Sequence, residues 1–113
     1  MTDPKEMMEV AYKALDDKKG ESITILDISK VSTFADYFLI TNGNSDTQMR
    51  ALMDSVDESM EKAGCIIKQK EGNHHGDWIL MDYGDVIVHI FNQDSRSFYN
   101  LERIWRDGVE VTM

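Results

Sequence analysis

Several places along the chain hold residue types that could do chemistry. Asn73-His74-His75-Gly76-Asp77 sets two imidazoles beside a carboxylate, the donor types of a divalent metal site. Neighbouring histidines rarely aim at one ion, and neither HxxxH nor HExxH spacing supports this pair, so solvated loop histidines are the simpler reading. Cys65 and His89 could join them only through the fold. Asn42-Gly43-Asn44-Ser45, ahead of a helical pattern, could cradle a phosphate because helix N-termini attract anions. It has one glycine and no GK[ST], so it is not a Walker loop. Asp82 and Asp85 are the carboxylates on which a metal-dependent nucleotidyl-transfer enzyme or nuclease would have to rely. They straddle a turn and face differently, and hairpin punctuation suits Asp85. Asp27 and Asp36 flank strand candidates with no partner at a telling spacing, and nothing marks a base for Cys65, which reads as core. No catalytic constellation emerges, and neither a cofactor nor a metal is expected.

These residues are set on a regular succession of elements. Asp3-Pro4-Lys5-Glu6 reads as a helix start, with Asp3 as cap, Pro4 in the first turn and Glu6 closing a capping box. Met7, Val10, Ala11, Ala14 and Leu15 form the apolar stripe, and Gly20 the stop. Strands are expected over Ser22 to Ile28 and Tyr37 to Thr41, then a turn at Asn42-Gly43-Asn44. Ser45 and Gln48 make a second capping box, opening a helix with Met49, Leu52, Met53, Val56, Met60 and Ala63 on one side and Gly64 at its end. Further strands are read over Cys65 to Lys70, Trp78 to Tyr83 and Val86 to Phe91. A last helix from about Ser95 would place Phe98, Leu101, Ile104 and Trp105 together. The order α-β-β-α-β-β-β-α is that of a single-domain α/β protein, a mixed β-sheet with packed helices occupying residues 1–113.

Charge narrows the partner. Twelve Lys and Arg stand against 21 Asp and Glu, a net charge of −9, which disfavours nucleic acid as the main contact and favours a basic protein surface. Between Glu71 and Ser95 there is no Lys or Arg, yet Glu71, Asp77, Asp82, Asp85 and Asp94 all fall there. The single cysteine excludes an internal disulfide framework. With no run of about 18 apolar residues and no leader-like start, the expected setting is the cytoplasm rather than a membrane.

The acidic stretch is also the best-defined hairpin. Gly84-Asp85 as a two-residue turn pairs Tyr83 with Val86, Met81 with Val88 and Ile79 with Ile90, and separately Asp82 with Ile87, Leu80 with His89 and Trp78 with Phe91. Side chains alternate, so the first set makes a core face. The second, Trp78, Leu80, Asp82, Ile87, His89 and Phe91, is too apolar for open solvent and too polar for a plain core. Either a helix covers it, leaving Asp82 and His89 at a wet margin, or a partner does, since aromatics beside a few polar groups suit interface centres.

Ala35-Asp36-Tyr37-Phe38, Thr41-Asn42-Gly43-Asn44-Ser45, Glu71-Gly72, Asp77-Trp78-Ile79-Leu80 and Asp82-Tyr83-Gly84-Asp85-Val86-Ile87-Val88-His89, with Arg96-Ser97-Phe98-Tyr99-Asn100-Leu101-Glu102 and Trp105, resemble the Iojap family, whose bacterial members are ribosomal silencing factors. The resemblance runs in order from about Met7 to Trp105. It implies a nucleotidyltransferase-like fold without the enzyme's active carboxylates. It also implies docking on the large ribosomal subunit through large-subunit ribosomal protein fourteen, blocked joining of the small subunit, and lowered translation when nutrients are short. It implies, too, that the free protein can be a homodimer, as free members of the family often look dimeric. The docking residues it implies are Trp78, Leu80, Asp82, Tyr83 and Asp85, with Asp36 and His89. The alternation of the hairpin places Tyr83 on the core side instead.

Overall fold

Helix and strand periodicities of the chain meet in one six-stranded sheet, strand order β3-β4-β5-β2-β1-β6. The computed structural model describes residues 3–73 and 75–112; His74 of the histidine loop lies outside them. The elements are α1 (Pro4–Asp17), β1 (Glu21–Asp27), β2 (Tyr37–Gly43), α2 (Asp46–Lys62), β3 (Gln69–Glu71), β4 (Trp78–Asp82), β5 (Val86–Asn92), α3 (Gln93–Tyr99), α4 (Leu101–Ile104) and β6 (Val109–Val111). β2 and β5 run parallel at the centre, and every other pairing is antiparallel.

α1 and α2 cover one face. Met7, Met8, Ala11, Ala14 and Leu15 of α1 and Met49, Leu52, Val56 and Met60 of α2 bury against Leu39, Ile79, Met81, Tyr83, Val86, Val88 and Ile90. Asp3 caps α1 by accepting from the Lys5 amide at 3.0 Å. The left-handed position that ends α1 is Lys19 (φ 58), not Gly20. Gly20 is needed for space, since a Cβ there would lie 2.8 Å from Thr41 Oγ1. At α2 the Ser45 hydroxyl accepts from the Gln48 amide (3.1 Å), and Gln48 Oε1 accepts from the amide of Asn44 (2.8 Å), one residue before the expected partner of a capping box.

Three readings of the sequence are corrected. The segment from Cys65 to Lys70 pairs only from Gln69 onward. The Cys65 amide closes α2 by donating to the Met60 carbonyl (2.9 Å), and Gly64 (φ 82) turns the chain there. β2 continues through Asn42 and Gly43, so the turn falls after them. The last helix breaks at Asn100, which takes a left-handed conformation (φ 47, ψ 56) that Asn tolerates. Phe98, 82% exposed, and Ile104, 67% exposed, therefore leave the common side, while Leu101 is buried and Trp105 packs on the sheet. The chain then adds β6, which pairs with β1.

The hairpin of β4 and β5 has the expected register throughout, from Trp78 opposite Phe91 to Asp82 opposite Ile87, with Tyr83 N–H donating to the Val86 carbonyl at 2.9 Å. Gly84 (φ 91) sits at the turn position that requires it. Gly72 (φ 82) turns the chain between β3 and β4, where a Cβ would fall 2.0 Å from the Trp78 carbonyl oxygen. Gly72→Ala is therefore expected to cost about 2 kcal/mol or more, read as a lowered midpoint in urea unfolding, because backbone and not a mobile side chain blocks the methyl.

Candidate functional site

On the second face, β4 and β5 lie edge to edge, and the C-terminal segment covers them unequally. Ile87 and Phe91 of β5 are buried with Phe38 and Leu101, and Trp78 and Leu80 of β4 are only half-buried. Trp78 stacks on Phe91 (ring centroids 5.1 Å apart) and leans on Tyr99 (4.9 Å). Phe38 packs edge-on to Trp105 at 5.2 Å. Both readings of this face thus hold in part: α3, α4 and Trp105 cover the β5 half, and the β4 half stays open beside Glu71.

His89 is not at a wet margin. It is 3% exposed, with its ring edge-on to Phe38 at 4.7 Å. Its Nδ1 accepts from the Trp78 indole N–H at 3.1 Å, which puts the imidazole proton on Nε2, an atom with no partner among the described residues. Burial drives the imidazole pKa down to about 3, so the ring is neutral. The role of His89 at this site is to orient the Trp78 indole from beneath. Sequence alternation assigned its face; only the packing of Phe38 over it shows the burial.

The remaining expected residues separate into two places. Asp82 is half-buried on the same face as Trp78 and Leu80, about 13 Å along the strand from Trp78. Its Oδ1 accepts from the Gly84 amide at 2.7 Å. Asp85 is exposed on the turn, and its carbonyl accepts from the amides of Asp36 (2.8 Å) and Tyr37 (3.0 Å), bringing Asp36 beside it. Tyr83 faces the α1/α2 side, 5% exposed, as alternation requires. Lys68 reaches over the turn, its Nζ 3.0 Å from where a Gly84 Cβ would be, so a cation from β3's approach borders the acidic hairpin.

What the sequence did not single out is the clamp that holds the cover. Arg96 Nη1 donates to Asn42 Oδ1 (2.9 Å) and the Glu21 carbonyl (3.2 Å), Nη2 to Thr24 Oγ1 (2.9 Å), and Nε to Glu102 Oε1 (3.1 Å). Asn92 adds a second tie: its side chain accepts from the Ser95 amide at 2.8 Å, capping α3, and donates to Asp77 Oδ1 at 3.0 Å. The spacing of Arg96 and Glu102 is not helical, and Asn100 between them is what brings the pair together.

The sites considered for chemistry are occupied otherwise. Glu21 carboxylate oxygens accept from Asn42 and Asn44 side chains at the start of α2, where a phosphate would meet like charge. His75 Nδ1 lies 3.0 Å from Asp46 Oδ2. Asp27 accepts from the Ser29 hydroxyl and amide, which hold its carboxyl below the usual range. Among the described residues no three His, Cys, Asp or Glu side chains are grouped to hold a metal ion. Nor is any helix among them long and apolar enough to cross a membrane.

The family model described as ribosomal silencing factor during starvation matches residues 1–113. A ribosomal silencing factor of Bacillus subtilis is 44% identical over 104 residues, covering 92% of this chain and 88% of that one. An Iojap-related mitochondrial protein of Arabidopsis thaliana is 28% identical over 97 residues, 82% of this chain and 53% of that protein. A crystal structure of a Chromobacterium violaceum protein superposes with a TM-score of 0.89 at 34% identity, covering 99% of this chain and 92% of that one.

Because the imidazole of His89 is neutral in the fold and protonates near 6.5 in the unfolded chain, the unfolded state binds the extra proton between these values. Its contribution is fully present above about pH 6.5 and is lost as pH falls toward 3, by several kcal/mol. Urea unfolding between pH 7 and pH 5 should show this loss, and His89→Gln should flatten it.

Proposed function

Since the chain belongs to the ribosomal silencing factor (Iojap) family, a family of translation repressors and not of catalysts, we propose that it binds the large ribosomal subunit through large-subunit ribosomal protein fourteen and blocks small-subunit joining when nutrients are limiting. Residues 1–113 act as one unit in the cytoplasm. The observation that carries this reading is the open half of the second face, where Trp78 and Leu80 stand half-exposed on β4 with Asp82 in line beside them. A ring already stacked on Phe91 and fixed by His89 loses little freedom on binding, which suits an interface anchor. The acids from Glu71 to Asp94 favour a basic protein and repel the RNA around it. Asp85 and Asp36, joined at the turn, extend the contact; His89 and Tyr83 act from beneath, because both are buried.

Size fits a steric mechanism. The molecule exposes 6464 Å², and a standard contact takes about 800 Å² from each partner, roughly an eighth of that. The rest of a molecule 32 × 32 × 25 Å across is bulk held where the other subunit must sit. In the free protein the same apolar half-face pairs two copies, and the ribosomal partner competes with that homodimer. The other reading, a metal-dependent nucleotidyl-transfer enzyme or nuclease, has no observation in its favour, since the Asp82 carboxylate is spent on the Gly84 amide and Asp85 stands apart on the turn.

Two outcomes are expected. Purified protein at saturation should reduce subunit joining in a density gradient, and unchanged joining would refute the reading. Trp78→Ala should weaken large-subunit binding by about 2 kcal/mol or more, some thirtyfold, with Asp82→Lys weakening it further by placing like charges together; sedimentation with large subunits measures both.

A further inference from the structure

On the opposite face from Trp78, α2 and the segment that leaves it enclose a second recess, which the docking reading touches only through Tyr83. It is a cleft of about 270 Å³ lined by Asp57, Glu61, Cys65, Ile66, Ile67 and Tyr83. Its chemistry is divided. Cys65 and the two isoleucines are apolar, and Ile66 is 84% exposed over the opening. Asp57 and Glu61 stand one helical turn apart, a repulsive spacing for like charges. Among the described residues neither has an ion-pair partner, although the neighbouring Arg50–Asp54 and Glu58–Lys62 pairs on α2 are satisfied.

Tyr83 makes the recess more than an acidic patch. The residue is 5% exposed, and its hydroxyl is buried with no hydrogen-bond partner among the described residues, an arrangement that ordinarily costs stability. Burial first, and then the nearby Asp57 carboxylate of the cleft, raise the pKa of this hydroxyl and keep it in the neutral form. Tyr83 lines the cleft, so a partner for the hydroxyl can come from that side. Lys68 lines the adjoining cavity over Gly84 and is not among the residues that line this one.

We propose that this cleft binds an alkylammonium group, its methylenes on Ile66 and Ile67 and its nitrogen between Asp57, Glu61 and the Tyr83 hydroxyl. An ammonium carries three donors and no acceptor, which matches two carboxylates and one hydroxyl oxygen lacking a partner. The volume is below the usual range for drug-sized or nucleotide-sized ligands and admits a short amine or one lysine side chain. A neutral polar ligand would leave the two carboxylates repelling each other, and an anion would add to the repulsion. The inference stands apart from ribosome docking and is read without ribosomes.

Cys65, the one cysteine of the chain, reports occupancy, because it lines the cleft and is 7% exposed. Its reaction with the neutral reagent dithiodipyridine is followed at constant ionic strength with 1,4-diaminobutane, with Nα-acetyl-lysine N-methylamide and with 1,4-butanediol. We expect the diamine to slow the reaction by at least about fivefold and butanediol to leave it unchanged. Protection by the diamine supports a free amine as the source, and protection by the lysine derivative alone supports a protein side chain. Protection by neither, or equal protection by butanediol, overturns the proposal. Asp57→Asn combined with Glu61→Gln, two changes on the helix surface, should abolish protection. Tyr83→Phe should weaken diamine binding about tenfold; if it binds the diamine as tightly as the unchanged chain, the hydroxyl has no ligand role and the proposal fails.

Discussion

The guanidinium of Arg96 decides whether this sheet has one covered face or two. α1 and α2 bury their face chiefly by hydrocarbon, but the other face is closed by a short, broken segment with little apolar area of its own. α3 buries only Ser95 and α4 only Leu101. Arg96 compensates by reaching down to β1 and β2, bonding Asn42, Thr24 and the Glu21 backbone, and by holding Glu102 across the break at Asn100. A planar fork of five donors suits such a junction, and lysine could not replace it. With the clamp in place Trp105 lies on Phe38, and Tyr99 lies against Trp78 and Phe91. Without it, the half-open face would be an unsupported one.

Much of the arrangement was readable from local rules. The β4–β5 register followed from Gly84-Asp85 and alternation, because a two-residue turn leaves only one way to pair the strands. The α2 stripe followed from its period and from Ser45 and Gly64 at its ends. The readings that failed did so where a long-range contact overrode a local pattern. Cys65 to Lys70 has the composition of a strand, but its first amide is taken by α2. Phe98 and Ile104 have helical spacing with Leu101, yet the chain bends at Asn100 so that Arg96 can meet Glu102. His89 was placed on the correct face and at the wrong depth, since depth depends on Phe38 and the C-terminal cover. The docking residues came chiefly from family resemblance; the physical reading supports Trp78, Leu80 and Asp82 as surface and puts Tyr83 and His89 below it.

This division of labour explains how a small protein can regulate without catalysis. The half-exposed Trp78 is held by a buried neutral imidazole and two aromatic rings, and among the described residues no three metal-ligating side chains are grouped. Nothing in that arrangement requires a moving part. On the docking reading proposed above, affinity would reside in one strand, and bulk in the rest of the body.

The parallel pairing at the centre of the sheet has a kinetic meaning. Tyr37 of β2 lies beside Val86 of β5, with α2 and the β3–β4 strands intervening in the chain. The β4–β5 hairpin needs only near contacts, so it can assemble early, whereas the centre must await closure of the long loop between β2 and β5. Until then the inner edges of two of the most apolar strands stand open side by side, a brief interval in which association with another chain competes with folding. The acids gathered on and beside that hairpin oppose such encounters by mutual repulsion, so the charge concentrated there protects the chain while its last seam is open.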